Sequence, residues 1–226
     1  MPDWMPNWML EAPPFELTTE METAFEAVLE ARSPAHLPPD APRWVFLQWL
    51  AGQGYLLHGS KKDDIAEFEP RSPHDLGPDE FSKRRGVFAA SDGLWAMMFA
   101  LRDKERVKLT QSLAQQLRLE GGGWSPMKYF LSFGPRNKAI TDGRAVMTAG
   151  FVYVLPSEGF EQAPPFVWPE LGEVLEAQWV NPNAVKPLMC LPIAPDDFPL
   201  PVRVHDAERA AALAESDPWG FPWLEG

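Results

Sequence analysis

The run Tyr55-Leu56-Leu57-His58-Gly59-Ser60 puts an imidazole, a residue with no side chain and a hydroxyl at successive positions. The apolar residues ahead of them read as a short buried strand, with His58 at its end. Gly59 lets another group approach the main chain, because it has no Cβ. After a polar segment, Gly86-Val87-Phe88-Ala89-Ala90 reads as a second strand. A helix carrying Trp95 and Phe99 follows it. Together these residues describe a slot for a flat ring that carries an amide. Backbone groups at Gly59 would bond the carboxamide, and Phe88 or Phe99 would stack on the ring face. The same residues also have an ordinary reading. A lone histidine in an apolar strand is often structural, a serine after glycine is often a turn residue, and phenylalanines are often core.

Other chemistries are set aside by the sequence. There is no G-x-x-x-x-G-K-[ST] phosphate loop and no G-x-S-x-G nucleophile elbow. Gly52 and Gly54 precede a strand rather than follow one, so they do not form a dinucleotide fingerprint. His36, His58, His74 and His205 are too scattered for a local metal pair, and no metal is expected. Cys190, the single cysteine, lies in an apolar strand and reads as packing. One cysteine also excludes an internal disulfide.

The elements that must hold the slot can be read from periodicity. Leu17, Met21, Phe25, Val28 and Leu29 recur at helical spacing over 17–31, with Thr19 and Glu22 as a capping box. A second helix carries Trp44, Val45, Leu47 and Leu50, with Asp40 as its cap, and stops near Gly52. The segment 61–85, rich in proline and charge, is long for a connection inside a domain and is expected to be functional or mobile. Within it Lys61, Lys62, Asp63 and Asp64 read as solvent-facing charges. Asp92 or Ser91 caps the helix through 94–103. Segments 127–134, 145–156 and 185–193 read as strands, Gly121–Gly123 as a turn or lid, and 206–215 as a terminal helix. Helices first, then strands around one helix, then more strands imply α+β rather than a doubly wound βαβ sheet.

Composition narrows the class of partner. The chain of 226 residues has a formal charge of −12, which disfavours a passive binder of phosphate backbones and makes nucleic acid an unexpected partner. No apolar run reaches the length of a membrane span and no secretory signal is visible, so a cytoplasmic protein is expected. There are 25 prolines and 10 tryptophans. Residues 1–16 read as an irregular arm whose Trp4 and Trp8 need apolar cover, from the body or from a second copy in a homodimer.

The quoted motifs resemble those of the ADP-ribosyltransferases of the diphtheria toxin and poly(ADP-ribose) polymerase class. Tyr55–Ser60 looks like the His-Gly-Ser/Thr strand of that class, and 85–100 like its strand-and-helix second motif. Residues 150–161 are similar to a segment of the small bacterial rifampin ADP-ribosyltransferases, and 176–193 fall where the third motif belongs. The resemblance covers about residues 53–195. It implies two split, mainly antiparallel sheets around a NAD cleft, with 1–52 packed on that core and 196–226 as an extension. It implies NAD as substrate, with mono-ADP-ribosyl transfer to an unknown acceptor or NAD hydrolysis. By the same resemblance His58 holds the adenosine-side ribose, Gly59 bonds the nicotinamide amide, Ser60 assists, and Phe88 and Phe99 stack on the ring. Arg71, with Arg84 and Arg85, suits pyrophosphate. The family's glutamate falls on Gln178 or, with a shift of two along the strand, on Glu176. Phe88 stands where the family has tyrosine. Both departures leave open a binding module without turnover. RNA 2′-phosphotransferase chemistry, which uses a related fold, is disfavoured by the acidic composition.

Overall fold

The computed structural model describes residues 6–73, 77 and 79–223. Trp4 and His74 lie outside the described residues. Among the described residues, two sheets and four helices make an α+β fold. Helix α1 (Thr19–Ala31) is capped by Thr18, whose Oγ accepts from Met21 N at 3.3 Å, one residue before the expected Thr19. Helix α2 (Arg43–Gly52) starts directly after Pro42, which supplies no side-chain cap, so Asp40 does not cap it. Helix α3 (Gly93–Leu101) is apolar on nearly every side and almost wholly buried. Asp92 caps it, its Oδ1 accepting from Trp95 N at 2.8 Å. Helix α4 (Ala207–Ser216) is capped by Asp206.

The strands are β1 (Leu56–Ser60), β2 (Val87–Ala90), β3 (Val107–Leu117), β4 (Lys128–Pro135), β5 (Gly150–Leu155), β6 (Glu161–Gln162), β7 (Phe166–Trp168), β8 (Gly172–Glu176), β9 (Gln178–Asn181), β10 (Met189–Ile193) and β11 (Arg203–Val204). One sheet runs β10-β5-β1-β2-β9-β6 and is antiparallel throughout. The other runs β11-β4-β3-β8-β7, with the β11–β4 pair parallel. The long strand β3 was not expected from the sequence, nor were the short strands β7, β8 and β11. The alternation of β3 is blurred by Gln111, Gln115 and Gln116, the first two of which are buried.

Helix α3 fills the space between the sheets, and two glycines let it come close. A Cβ on Gly59 would lie 2.1 Å from Ala96 O, and one on Gly150 would lie 2.1 Å from Ala100 O. A single apolar cluster unites α1 and α2 (Phe25, Val28, Phe46, Leu50) with α3 and with both sheets (Leu57, Val154, Tyr129, Phe133). At its centre the buried Asp92 carboxylate accepts from Tyr129 Oη at 2.7 Å and Gln48 Nε2 at 2.9 Å. Burial raises the Asp92 pKa, opposed by these hydrogen bonds.

The outer face of the second sheet is covered by the chain ends. Trp8 packs edge-on to Phe130 at 5.6 Å, and Trp219 packs on Trp168 at 5.8 Å. Leu10 pairs with Tyr129 through two main-chain hydrogen bonds, and Glu11 forms an ion pair with the buried Lys128. The aromatic ends are therefore covered within the chain. Among the described residues, no helix is long and apolar enough to cross a membrane.

Candidate functional site

Strands β1, β2 and β9 are consecutive neighbours, so the three motifs lie side by side. Leu57 pairs with Ala90, and Ala90 with Gln178, which puts these three on one face. That face meets α3 and the main core. His58, one residue on, faces the other way with Tyr153 and Cys190. Pairing of β1 with β2 is confined to Leu57↔Ala90. Beyond it the His58 ring joins the two strands through Phe88 O.

His58 is half-buried and its ring orientation is fixed. Nδ1 lies 2.6 Å from Phe88 O, which can only accept, so Nδ1 carries the proton. In the neutral ring Nε2 then presents a lone pair. Phe68 covers the ring at 4.5 Å, tilted 54°, and packs in turn on Tyr153. Tyr153 Oη donates to Lys62 O and accepts from Ile65 N, which ties the start of the long connection to β5. The His58 pKa is lowered by burial and further by Lys104 and Arg71, against the hydrogen bond to Phe88. The imidazole is therefore neutral at pH 7.

Two cations, Lys104 and Arg71, act on this ring, and further cations act on Lys104 and Lys61. Arg102, Arg71 and Lys62 act on Lys104. Arg102 and Lys104 also act on Lys61, with Asp103 the nearby acid. Chain geometry explains the gathering. Lys61 follows the end of β1, Arg102 and Lys104 follow the end of α3, and Arg71 pairs with Gly86 just ahead of β2. Among the described residues none of these five cations forms an ion pair with an acid. Lys61 is not a free surface charge, contrary to the sequence reading. Its Nζ donates to Thr148 O, Thr148 Oγ1 and Ala149 O at 2.7–2.9 Å, and its pKa is lowered to about 8, first by burial. Arg102 donates to Thr110 Oγ1.

The remaining candidates are distributed as follows. Ser60 Oγ accepts from Lys62 N at 3.1 Å, a turn role. The side of Gly59 that was expected to admit a ligand is occupied by α3. Phe88, two residues from Ala90, shares the α3 face, opposite to the His58 ring. Phe99, on α3 beside Gly59, is 41% exposed and lies 5.9 Å from Trp95. Gln178 is also on the α3 face, and its Oε1 accepts from the buried Ser82 Oγ at 3.2 Å. Ser82 is itself held by Asp79.

Glu176 belongs to the other sheet. It pairs with Gln115 and shares the face of Val174 beneath the terminal arms. The chain changes sheets at Ala177, which bonds Ala114 O on one side and Ser91 N on the other. Neither side chain therefore offers a carboxylate beside His58. Arg84 pairs with Glu161 at 2.9 Å, which leaves Arg71 as the arginine of the connection facing His58.

Sequence reasoning missed Lys62, Arg102, Lys104 and Phe68. A basic residue just past a helix end is unremarkable in sequence, and only the sheet topology brings 102–104 to the end of β1. Two cavities lie elsewhere, one of about 220 Å³ beside Arg32 and Tyr55 and one of about 720 Å³ beside α4. Comparison with family models, curated proteins and solved structures returned no match. The resemblance to ADP-ribosyltransferases accordingly rests on the residues quoted above.

Proposed function

We propose that this chain is an ADP-ribosyltransferase-like protein that binds NAD beside His58, where β1 and β2 pair only at Leu57↔Ala90. The observation that carries this reading is the set of unpaired cations around a neutral, oriented histidine, in a chain of net charge −12. Clustered cations repel one another, and an anion relieves that repulsion. The dinucleotide's pyrophosphate would lie near Arg71 and Lys104. The Nε2 lone pair of His58 would accept from a ribose hydroxyl, a role compatible with its Nδ1–H bond to Phe88. Phe88 and Phe99 are on the opposite face of β1.

Binding is favoured over turnover. Cleavage of the nicotinamide–ribose bond develops positive charge on the ribose, which a carboxylate would stabilise. Gln178 is neutral and bonded to Ser82, and Glu176 belongs to the other sheet. NAD at millimolar concentration should raise the melting temperature, and His58→Ala should abolish the rise while leaving the fold intact by circular dichroism. No shift with the native chain would refute the reading. Release of free nicotinamide would establish turnover and reverse the preference for binding alone.

The same cations favour a second reading, chemistry on a phosphate group as in the RNA 2′-phosphotransferases. Local charge, not the total, governs such a site. Tighter binding of a 2′-phosphorylated oligoribonucleotide than of its unphosphorylated twin, lost in Arg71→Gln, would favour it over the first.

A further inference from the structure

The cavity of about 720 Å³ lies between the end of β4, strand β11 and the first turns of α4. It is far larger than the roughly 30 Å³ share of one water and falls in the range of about 300–1,000 Å³ typical of small-molecule sites. One wall is apolar: Ile140, Ala207, Ala210 and the Trp223 ring, which is pinned by its Nε1 donating to Asp217 O at 2.7 Å.

The polar side is uneven in charge. Asp206 is the acid among the lining residues, and its carboxylate is already engaged. Oδ1 accepts from Glu208 N and Arg209 N at 3.0 Å, and Oδ2 from Lys138 Nζ at 2.8 Å. These donors hold the Asp206 pKa well below the usual carboxylate range, the Lys138 bond contributing most. Arg203 also lines the cavity, and among the described residues its guanidinium forms no hydrogen bond or ion pair; its Cζ lies 5.9 Å from the centre of the Phe130 ring. An uncompensated guanidinium thus faces a rigid indole across a space of ligand size. A guanidinium presents several donors and no acceptor.

We infer that this cavity is a second binding site, independent of the His58 region, for a small organic anion. Its carboxylate, sulfonate or phosphate head would pair with Arg203 and its flat apolar body would lie against Trp223 and Ile140. A bare inorganic anion would leave most of the cavity and its apolar wall unused.

The test is calorimetric titration of the full chain with naphthalene-2-sulfonate, naphthalene-2-methanol and sulfate. The sulfonate is expected to bind at least tenfold more tightly than the other two. Arg203→Gln should weaken it at least tenfold, and Thr141→Trp, which fills the cavity, should abolish it; circular dichroism and thermal unfolding would check both folds. His58→Ala should leave it unchanged. Absence of binding at millimolar sulfonate, equal affinity for the alcohol, or an unchanged constant in well-folded Arg203→Gln would each overturn the inference. Loss of binding in His58→Ala would overturn it too, by assigning the ligand to the other site.

Discussion

The two sheets treat most of their cations differently, the exceptions being Arg203 on β11, which has no ion pair among the described residues, and Arg84, which pairs with Glu161 on β6. Around the second sheet Lys108 and Lys138 pair with Glu208, Lys138 also with Asp206, Arg118 with Glu173, and Lys128 with Glu11. Around the end of β1 in the first sheet, Lys61, Lys62, Arg71, Arg102 and Lys104 gather with no ion pair among the described residues. The chain carries 32 acids against 20 Lys and Arg, so acids are not scarce. On the proposed reading, cations left unpaired amid a surplus of carboxylates would receive an external anion. Paired ones mark surfaces that hold the chain together. The second sheet is also roofed by the chain ends, whereas in the first β1 and β2 pair only at Leu57↔Ala90.

The largest effect expected from this contrast concerns glycine. Gly59→Ala drives a Cβ into the α3 backbone and should destabilise the fold by about 3 kcal/mol in urea unfolding. Gly121→Ala, in the β3–β4 turn with nothing within 4 Å, should change stability by no more than about 0.5 kcal/mol. Equal effects would mean that α3 does not rest on β1 as described.

Next come the charges, where opposite signs are expected. Lys128→Gln removes the buried partner of Glu11 and should cost about 2 kcal/mol, below the range for fully buried pairs because Glu11 is half exposed. Limited proteolysis should then cut the N-terminal arm first. The double change Arg71→Gln with Lys104→Gln should do the reverse, raising the melting temperature slightly by relieving repulsion. It should also weaken NAD binding at least tenfold, about 1.4 kcal/mol. A lowered melting temperature would show these two cations to be structural.

The smallest effect separates the histidines. His205 at the second sheet, bonded through Nδ1 to Ser132, is held down to about 4 by burial. His58 is held down by burial and by Lys104 and Arg71. An anion bound among those cations should raise the His58 pKa, read by NMR, and leave His205 unmoved. For both rings the folded pKa lies below that of the unfolded chain. Between about pH 6.5 and the folded value, the unfolded state binds more protons. Stability should therefore fall as pH drops through that window, for His205 from about 6.5 to about 4, and His205→Gln should flatten the fall.

Periodicity and turn chemistry made β1, β2, α3 and α4 legible, including the caps Asp92 and Asp206. Each is a local pattern: an apolar run ended by glycine, or an acid ahead of a helix. Strand β3 was not legible because buried glutamines break its alternation. The assignment of Glu176 and Gln178 to separate sheets was hidden for a similar reason. Two residues apart on a continuous strand share a face, and nothing in Glu-Ala-Gln announces that the chain changes sheets at the alanine. His58 could be singled out from its motif. The cations around it could not, since they arrive from three separate stretches and meet only after folding.

That alanine has a mechanical consequence. Ala177 is hydrogen-bonded to β3 by its N–H and to Ser91, ahead of α3, by its carbonyl. Its neighbours reach in opposite directions, Glu176 under the aromatic ends and Gln178 to Ser82 in the long connection. The tripeptide acts as a tie bar between two halves of the molecule. A displacement of either sheet would be passed along it to the other and, through Gln178, to Ser82 in the long connection.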